Sequence, residues 1–73
     1  MSVRNCDQAE EIAKRFLLER FDFSNITIDS IDFDGNCFVV SGFNEDESEI
    51  PSEKTVFTVT IKTDGNVVGW RVT

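Results

Sequence analysis

The sequence predicts an α+β domain: one N-terminal amphipathic helix packed on a four-stranded antiparallel meander sheet. Three observations carry this prediction. Apolar residues recur with a period of 3.6 over residues 6–21, and later stretches alternate apolar and polar residues. The triplet Asp-Gly-Asn occurs twice, at 34–36 and 64–66, and suits tight hairpin turns. The expected order is α-β-β-β-β in a single domain over residues 1–73, because sequential antiparallel strands usually pair.

The helix is predicted over about residues 6–21. Its apolar stripe consists of Ala9, Ile12, Ala13, Phe16, Leu17 and Phe21. Either Asn5 or Asp7 can serve as the N-cap, since Gln8 or Glu10 follows three residues later. Residues 1–5 are expected to be frayed.

The closing hairpin is predicted over residues 57–72, with Asp64-Gly65 as a two-residue turn. The expected cross-strand pairs are Ile61 with Val68, Val59 with Trp70, and Phe57 with Val72. This register directs Trp70 into the core, against Val59 and the helix residues Phe16 and Leu17.

The first hairpin is predicted from strands at 26–33 and 37–43, and its apolar residues occupy both faces. One face carries Ile31, Phe33, Phe38 and Val40, and the other carries Ile26, Ile28, Cys37, Val39 and Phe43. A bulge near Ser30 would move Ile26 and Ile28 to the first face. It cannot move the second strand, so Cys37, Val39 and Phe43 are expected on a face that the single helix leaves uncovered.

Residues 44–53 are predicted to form a polar, extended loop at the tip of a long hairpin. The loop contains the acidic residues Glu45, Asp46, Glu47, Glu49 and Glu53 and no basic residue. Ile50 is expected to be its apolar anchor.

Composition excludes several functional classes. A net charge of −7 disfavours nucleic-acid binding, and no apolar run approaches the ~20 residues of a membrane span. The chain contains no His, so imidazole bases and Cys-His pairs are absent, and the prediction is a non-enzyme without cofactor or metal. Cys6 and Cys37 are expected to be free, reduced and buried in a cytoplasmic protein.

The uncovered sheet face is the predicted functional surface. An apolar patch rimmed by polar residues commonly marks an interaction site, so a protein partner or homodimer is expected there. Its predicted residues are Cys37, Val39 and Phe43, together with Glu45, Asp46, Glu47 and Glu49 of the acidic loop. The alternative function is binding of a cation or small ligand at that loop.

The helix sequence AEEIAKRFL at 9–17 and the closing stretch FTVTIKTDGNVVGW at 57–70 resemble PepSY-like domains. The order of elements, with Pro51 ahead of the third strand, is also similar to gas-vesicle accessory proteins of the O type. The first resemblance implies restraint of or assistance to peptidases, usually in exported or membrane-attached proteins. Neither resemblance supplies a functional residue.

Overall fold

The computed structural model describes residues 5–47, 50 and 53–73. It contains one helix, α1 (Cys6–Phe21), and four strands, β1 (Ile26–Phe33), β2 (Cys37–Asp46), β3 (Glu53–Lys62) and β4 (Val67–Val72). The strands form one antiparallel sheet in the order β1-β2-β3-β4. The predicted α-β-β-β-β architecture is therefore confirmed.

Both ends of α1 are capped by side-chain and backbone groups. Asn5 is the N-cap, because its Oδ1 accepts a hydrogen bond of 2.9 Å from the backbone N–H of Gln8. At the other end Asp22 adopts the left-handed conformation with φ 58°, and its N–H donates to the Leu18 carbonyl at 3.0 Å. Of the segment predicted to be frayed, residues 1–4 lie outside the described residues.

The predicted bulge in the first hairpin is confirmed. Ile28 pairs with Gly42 and Ser30 pairs with Ser41, which leaves Asp29 as the extra residue of β1. The bulge reverses the alternation, so Ile26 and Ile28 share the helix-covered face with Ile31.

The turn of the second hairpin differs from the prediction. The backbone N–H of Lys62 donates to the Asn66 carbonyl at 2.8 Å, and the backbone N–H of Gly65 donates to the Lys62 carbonyl at 2.9 Å. The loop therefore has three residues, not two. Gly65 has φ 95°, which a side chain would disfavour. The longer loop pairs Ile61 with Val67 instead of Val68, and Val67 packs against the core.

A bulge at Val68 then restores the predicted register. Thr60 pairs with Gly69, and the expected pairs of Val59 with Trp70 and Phe57 with Val72 are present. Val68 itself is 51% exposed.

The core lies between α1 and the sheet. Its buried members are Ala9, Ala13, Leu17, Phe38, Val40, Phe57, Val59 and Ile61. The helix residues in this set are spaced four apart, and two of them are alanines, which allows the helix backbone to approach the sheet closely.

The prediction that Trp70 is buried is wrong. Its side chain is 46% exposed, although its ring centroid lies 5.2 Å from that of Phe16, as expected for the helix side. Trp70 belongs to the edge strand β4, while α1 packs mainly on β1, β2 and β3. The guanidinium of Arg20 lies 4.6 Å from the ring centroid and forms a cation–π contact there.

The predicted loop 44–53 is also corrected, because β2 continues to Asp46 and β3 begins at Glu53. Asn25 holds this extension: its N–H donates to Asn44 Oδ1 at 3.0 Å, and its side-chain amide donates to the Glu45 carbonyl at 3.1 Å. Pairing of Glu45 with Lys54 opposes the repulsion among carboxylates. Ile50 is not an anchor, since it is 98% exposed.

Candidate functional site: the outer face of the sheet

The face of the sheet that points away from α1 is called the outer face here. Strand alternation and pairing place these residues on it: Thr27, Asp29, Ser30, Asp32, Cys37, Val39, Ser41, Phe43, Glu45, Lys54, Val56, Thr58, Thr60, Lys62, Gly69 and Arg71. The single described helix packs on the opposite face. Among the described residues, no element therefore covers the outer face.

An apolar strip runs along the centre of the outer face. It consists of Cys37, Val39 and Phe43 on β2, with Val56 opposite Phe43 on β3. Val56 is 55% exposed, whereas the other three are half-buried by their neighbours on the sheet. One of those neighbours is Lys54, whose Nζ lies 4.8 Å from the Phe43 ring centroid.

Threonines and serines surround the strip. Ser41 pairs with Thr58 and Val39 pairs with Thr60, so hydroxyl groups alternate with apolar groups across β2 and β3. Such short side chains make a flat surface that a second flat surface can approach. Flat sheet faces pack face to face about 10 Å apart in sandwiches.

The charges of the outer face differ from those of the rest of the molecule. Three side chains are basic (Lys54, Lys62 and Arg71) and three are acidic (Asp29, Asp32 and Glu45), which gives a net charge of 0. The whole chain carries −7, so all of this negative charge lies at other positions. The outer face is thus the part of the surface from which the negative charge of the chain is missing.

The predicted interaction residues separate into two groups. Cys37, Val39, Phe43 and Glu45 lie together on the outer face, with Glu45 at the end of the strip. Asp46 lies one residue further along β2 and therefore points to the opposite face. Glu47 follows in the turn, and Glu49 lies outside the described residues.

The acidic end of the sheet contains an open cavity of about 620 Å³. Its lining comes from the α1–β1 connection and from the ends of β2 and β3: Phe21, Asp22, Phe23, Ser24, Asn25, Asn44, Glu45, Asp46, Glu47, Glu53 and Thr55. Within residues 5–47, 50 and 53–73, no group of three or more acidic or cysteine side chains is arranged to hold a metal ion. The cavity is polar and acidic without being a preformed metal centre.

Neither cysteine is buried, contrary to the prediction. Both thiols are free; Cys6 is exposed in the first turn of α1, and Cys37 is half-buried at one end of the apolar strip. The part of the chain that the structure describes has no helix with the length and hydrophobicity needed to cross a membrane.

Sequence reasoning missed two members of the outer face, Lys54 and Val56, because the third strand was predicted to begin at Phe57. The alternation Lys54-Thr55-Val56-Phe57 continues the strand pattern without a break and was the available signal. The predicted pairing of Ile61 with Val68 also implied that the neighbouring Val67 lies on the outer face; the three-residue turn places Val67 on the helix side instead.

Comparison with known proteins adds no family to this description. No protein-family model, curated protein or solved structure matches the chain. The resemblances to PepSY-like domains and to gas-vesicle accessory proteins therefore stay predictions.

Proposed function

We propose that this chain is a non-catalytic interaction domain that binds a protein surface, either another protein or a second copy, through its outer face. The observation that carries the proposal is the uncovered apolar strip of Cys37, Val39, Phe43 and Val56, on the face of the sheet opposite to the one that α1 packs on. In a chain of 73 residues little apolar surface is spare, and an exposed apolar strip on a sheet is a common feature of interaction sites.

The surroundings of the strip support the same proposal. Hydroxyl and charged side chains border it, which matches the usual arrangement of an apolar centre and a polar rim. The strip contains no group suited to acid–base or nucleophilic chemistry apart from the half-buried thiol of Cys37. Binding is therefore the activity that its chemistry fits.

The test compares two apolar-to-lysine variants. Val39→Lys places a charge in the centre of the strip, and Leu18→Lys changes a 49%-exposed residue of α1, away from the outer face. We expect Val39→Lys to lose self-association or partner capture, and Leu18→Lys to behave as the parent protein. Circular dichroism and thermal unfolding confirm that both variants are folded.

The proposal is wrong if the folded Val39→Lys variant keeps the oligomeric mass of the parent protein and recovers the same partners from lysate. It is also wrong if Leu18→Lys causes the same loss, because the effect would then not belong to the outer face.

A second candidate function is binding of a cationic small ligand at the acidic end of the sheet. The cavity there supports it, because carboxylates of Asp46, Glu47 and Glu53 border an open volume large enough for a small molecule. Calorimetric titration with a divalent cation and with a polyamine tests this candidate. Saturable binding that Glu53→Gln weakens would favour it, and the absence of heat in both titrations would exclude it.

A further inference from the structure

We propose that the occupant of the outer face is a second copy of this chain, in a two-sheet sandwich whose two-fold axis runs parallel to the strands. This inference rests on the proposed function, because it uses the same face and names what covers it. It is carried by the distribution of charge over that face.

Two identical acidic chains must approach each other to form such a dimer. Each copy carries −7, so two copies repel each other over most of their surfaces. The outer face carries Lys54, Lys62 and Arg71 against Asp29, Asp32 and Glu45, so it has no net charge. Contact through this face brings the two copies together with the least charge repulsion.

The proposed dimer also has a defined orientation. A two-fold axis parallel to the strands, between β2 and β3, places β1 over β4 and β2 over β3 of the partner. Glu45 then lies opposite Lys54 of the partner subunit, and Phe43 lies opposite Val56 of the partner subunit. Asp32, on the edge strand β1, comes close to Arg71 of the partner subunit. The two residues are offset along the strand direction by one position on the same face. Each contact occurs twice, and each joins unlike charges or two apolar groups.

The other face-to-face orientation is less favourable. A two-fold axis perpendicular to the strands places β3 over β3 in the reverse direction, which brings Lys54 over Lys62 of the partner subunit. That arrangement repeats a repulsive contact twice and separates Asp32 from Arg71. Like charges placed opposite each other destabilise an interface, so the parallel axis is preferred.

Edge-to-edge pairing of two sheets is opposed by the fold itself. Both edge strands contain a bulge, at Asp29 in β1 and at Val68 in β4. Bulges and charged residues on edge strands are common obstacles to strand addition. Association through the outer face does not require either edge.

The area of the outer face limits the expected affinity of the dimer. Four strands spaced ~4.8 Å apart and up to ten residues long cover about 500 Å² per copy, or about 1,000 Å² in total. This lies at the lower limit of specific interfaces, so a weak, micromolar-range dimer is expected.

The experiment uses charge reversal at the two edges of the outer face. Asp32→Arg and Arg71→Glu each place like charges together at both symmetric contacts, and we expect each to weaken dimerisation about tenfold in sedimentation equilibrium at low salt. Positions 32 and 71 lie on opposite edge strands of one sheet, so the two side chains do not form an ion pair with each other within one copy.

An equimolar mixture of the two variants gives the decisive result. A heterodimer of Asp32→Arg with Arg71→Glu has unlike charges at both contacts, so mixing is expected to restore dimerisation. Two folded variants that dimerise like the parent protein, or a mixture that remains monomeric, would overturn the proposed arrangement.

The parent protein itself provides the separate test of the occupant. If it is monomeric at about 1 mM, the second-copy inference is overturned. The proposed function would then still be judged by whether Val39→Lys, unlike Leu18→Lys, loses a captured partner. The two failures are therefore distinguishable.

Discussion

Gly42→Ala should destabilise the protein strongly, because Gly42 lies where β1 and β2 approach each other closely. It is buried on the helix-covered face of β2, directly opposite Ile28 at the bulge of β1. An added Cβ would overlap the backbone carbonyl oxygen of Thr27 and lie 3.0 Å from Ile28 Cα and 3.1 Å from Phe57 Cζ. Two of these three contacts are with backbone atoms, so relief requires β1 to move away from β2.

The expected cost follows from those contacts. Overpacking costs about 1–3 kcal/mol, and the expected loss of two strand hydrogen bonds between β1 and β2 adds about 2 kcal/mol. The sum of about 3–5 kcal/mol is a large part of the roughly 4–11 kcal/mol expected for a chain of 73 residues. Urea unfolding followed by circular dichroism measures the loss, and a variant too unstable to fold agrees with the expectation.

Gly69→Ala is the matched control, because an added Cβ at this β4 position meets no atom within 4 Å. Its free energy of unfolding should change by less than about 1 kcal/mol. Equal stability of Gly42→Ala and the parent protein would refute the packing described at the bulge.

Three further predictions concern single side chains. Trp70→Ala should lower the free energy of unfolding by about 1.5–2.5 kcal/mol, less than the loss of a buried tryptophan, because the ring is 46% exposed. Denaturant unfolding measures this loss, and a value above about 4 kcal/mol would show that the ring is buried. The backbone N–H group of Asn36, followed in importance by that of Cys37, donates to the carboxylate of Asp34 and lowers its pKa. The ionised carboxylate therefore stabilises the fold above its ordinary pKa, and this contribution disappears as the pH falls below about 4. The stability difference between the parent protein and Asp34→Ala should therefore shrink in acid, and a constant difference from pH 7 to pH 2 would contradict the assignment. Cys6 is exposed and should react with a thiol reagent faster than the half-buried Cys37; the opposite order, read by mass spectrometry of modified peptides, would be inconsistent with the structure.

The elements and the bulge of the first hairpin could be predicted because the apolar pattern admits few alternatives. Ile26 and Ile28 are out of phase with Ile31, and one inserted residue resolves the conflict. The second turn could not be settled in the same way. Asp64-Gly65 suits both a two-residue and a three-residue loop, and the bulge that compensates for the longer loop gives no separate signal in the sequence.

The length of the central strands and the exposure of Trp70 depend on contacts between distant residues. Asn25 hydrogen-bonds to Asn44, nineteen residues later, and this supports a strand where charge alone predicts a loop. For Trp70 the predicted side-chain direction is correct and the predicted burial is wrong. Strand alternation predicts which face a side chain lies on, but it does not predict how far the helix extends over that face. The outer face was predictable from Val39 and Phe43, whereas the contribution of Val56 depended on the true start of β3.

We propose that the outer face is the surface through which this chain associates with a second copy. A dilution series of amide ¹⁵N–¹H spectra, from about 1 mM to 10 μM, tests it residue by residue. We expect concentration-dependent shifts or broadening at Val39, Phe43, Thr58 and Arg71, with little change along α1. Shifts that map to α1 and Trp70, or spectra that do not change with concentration, would contradict it.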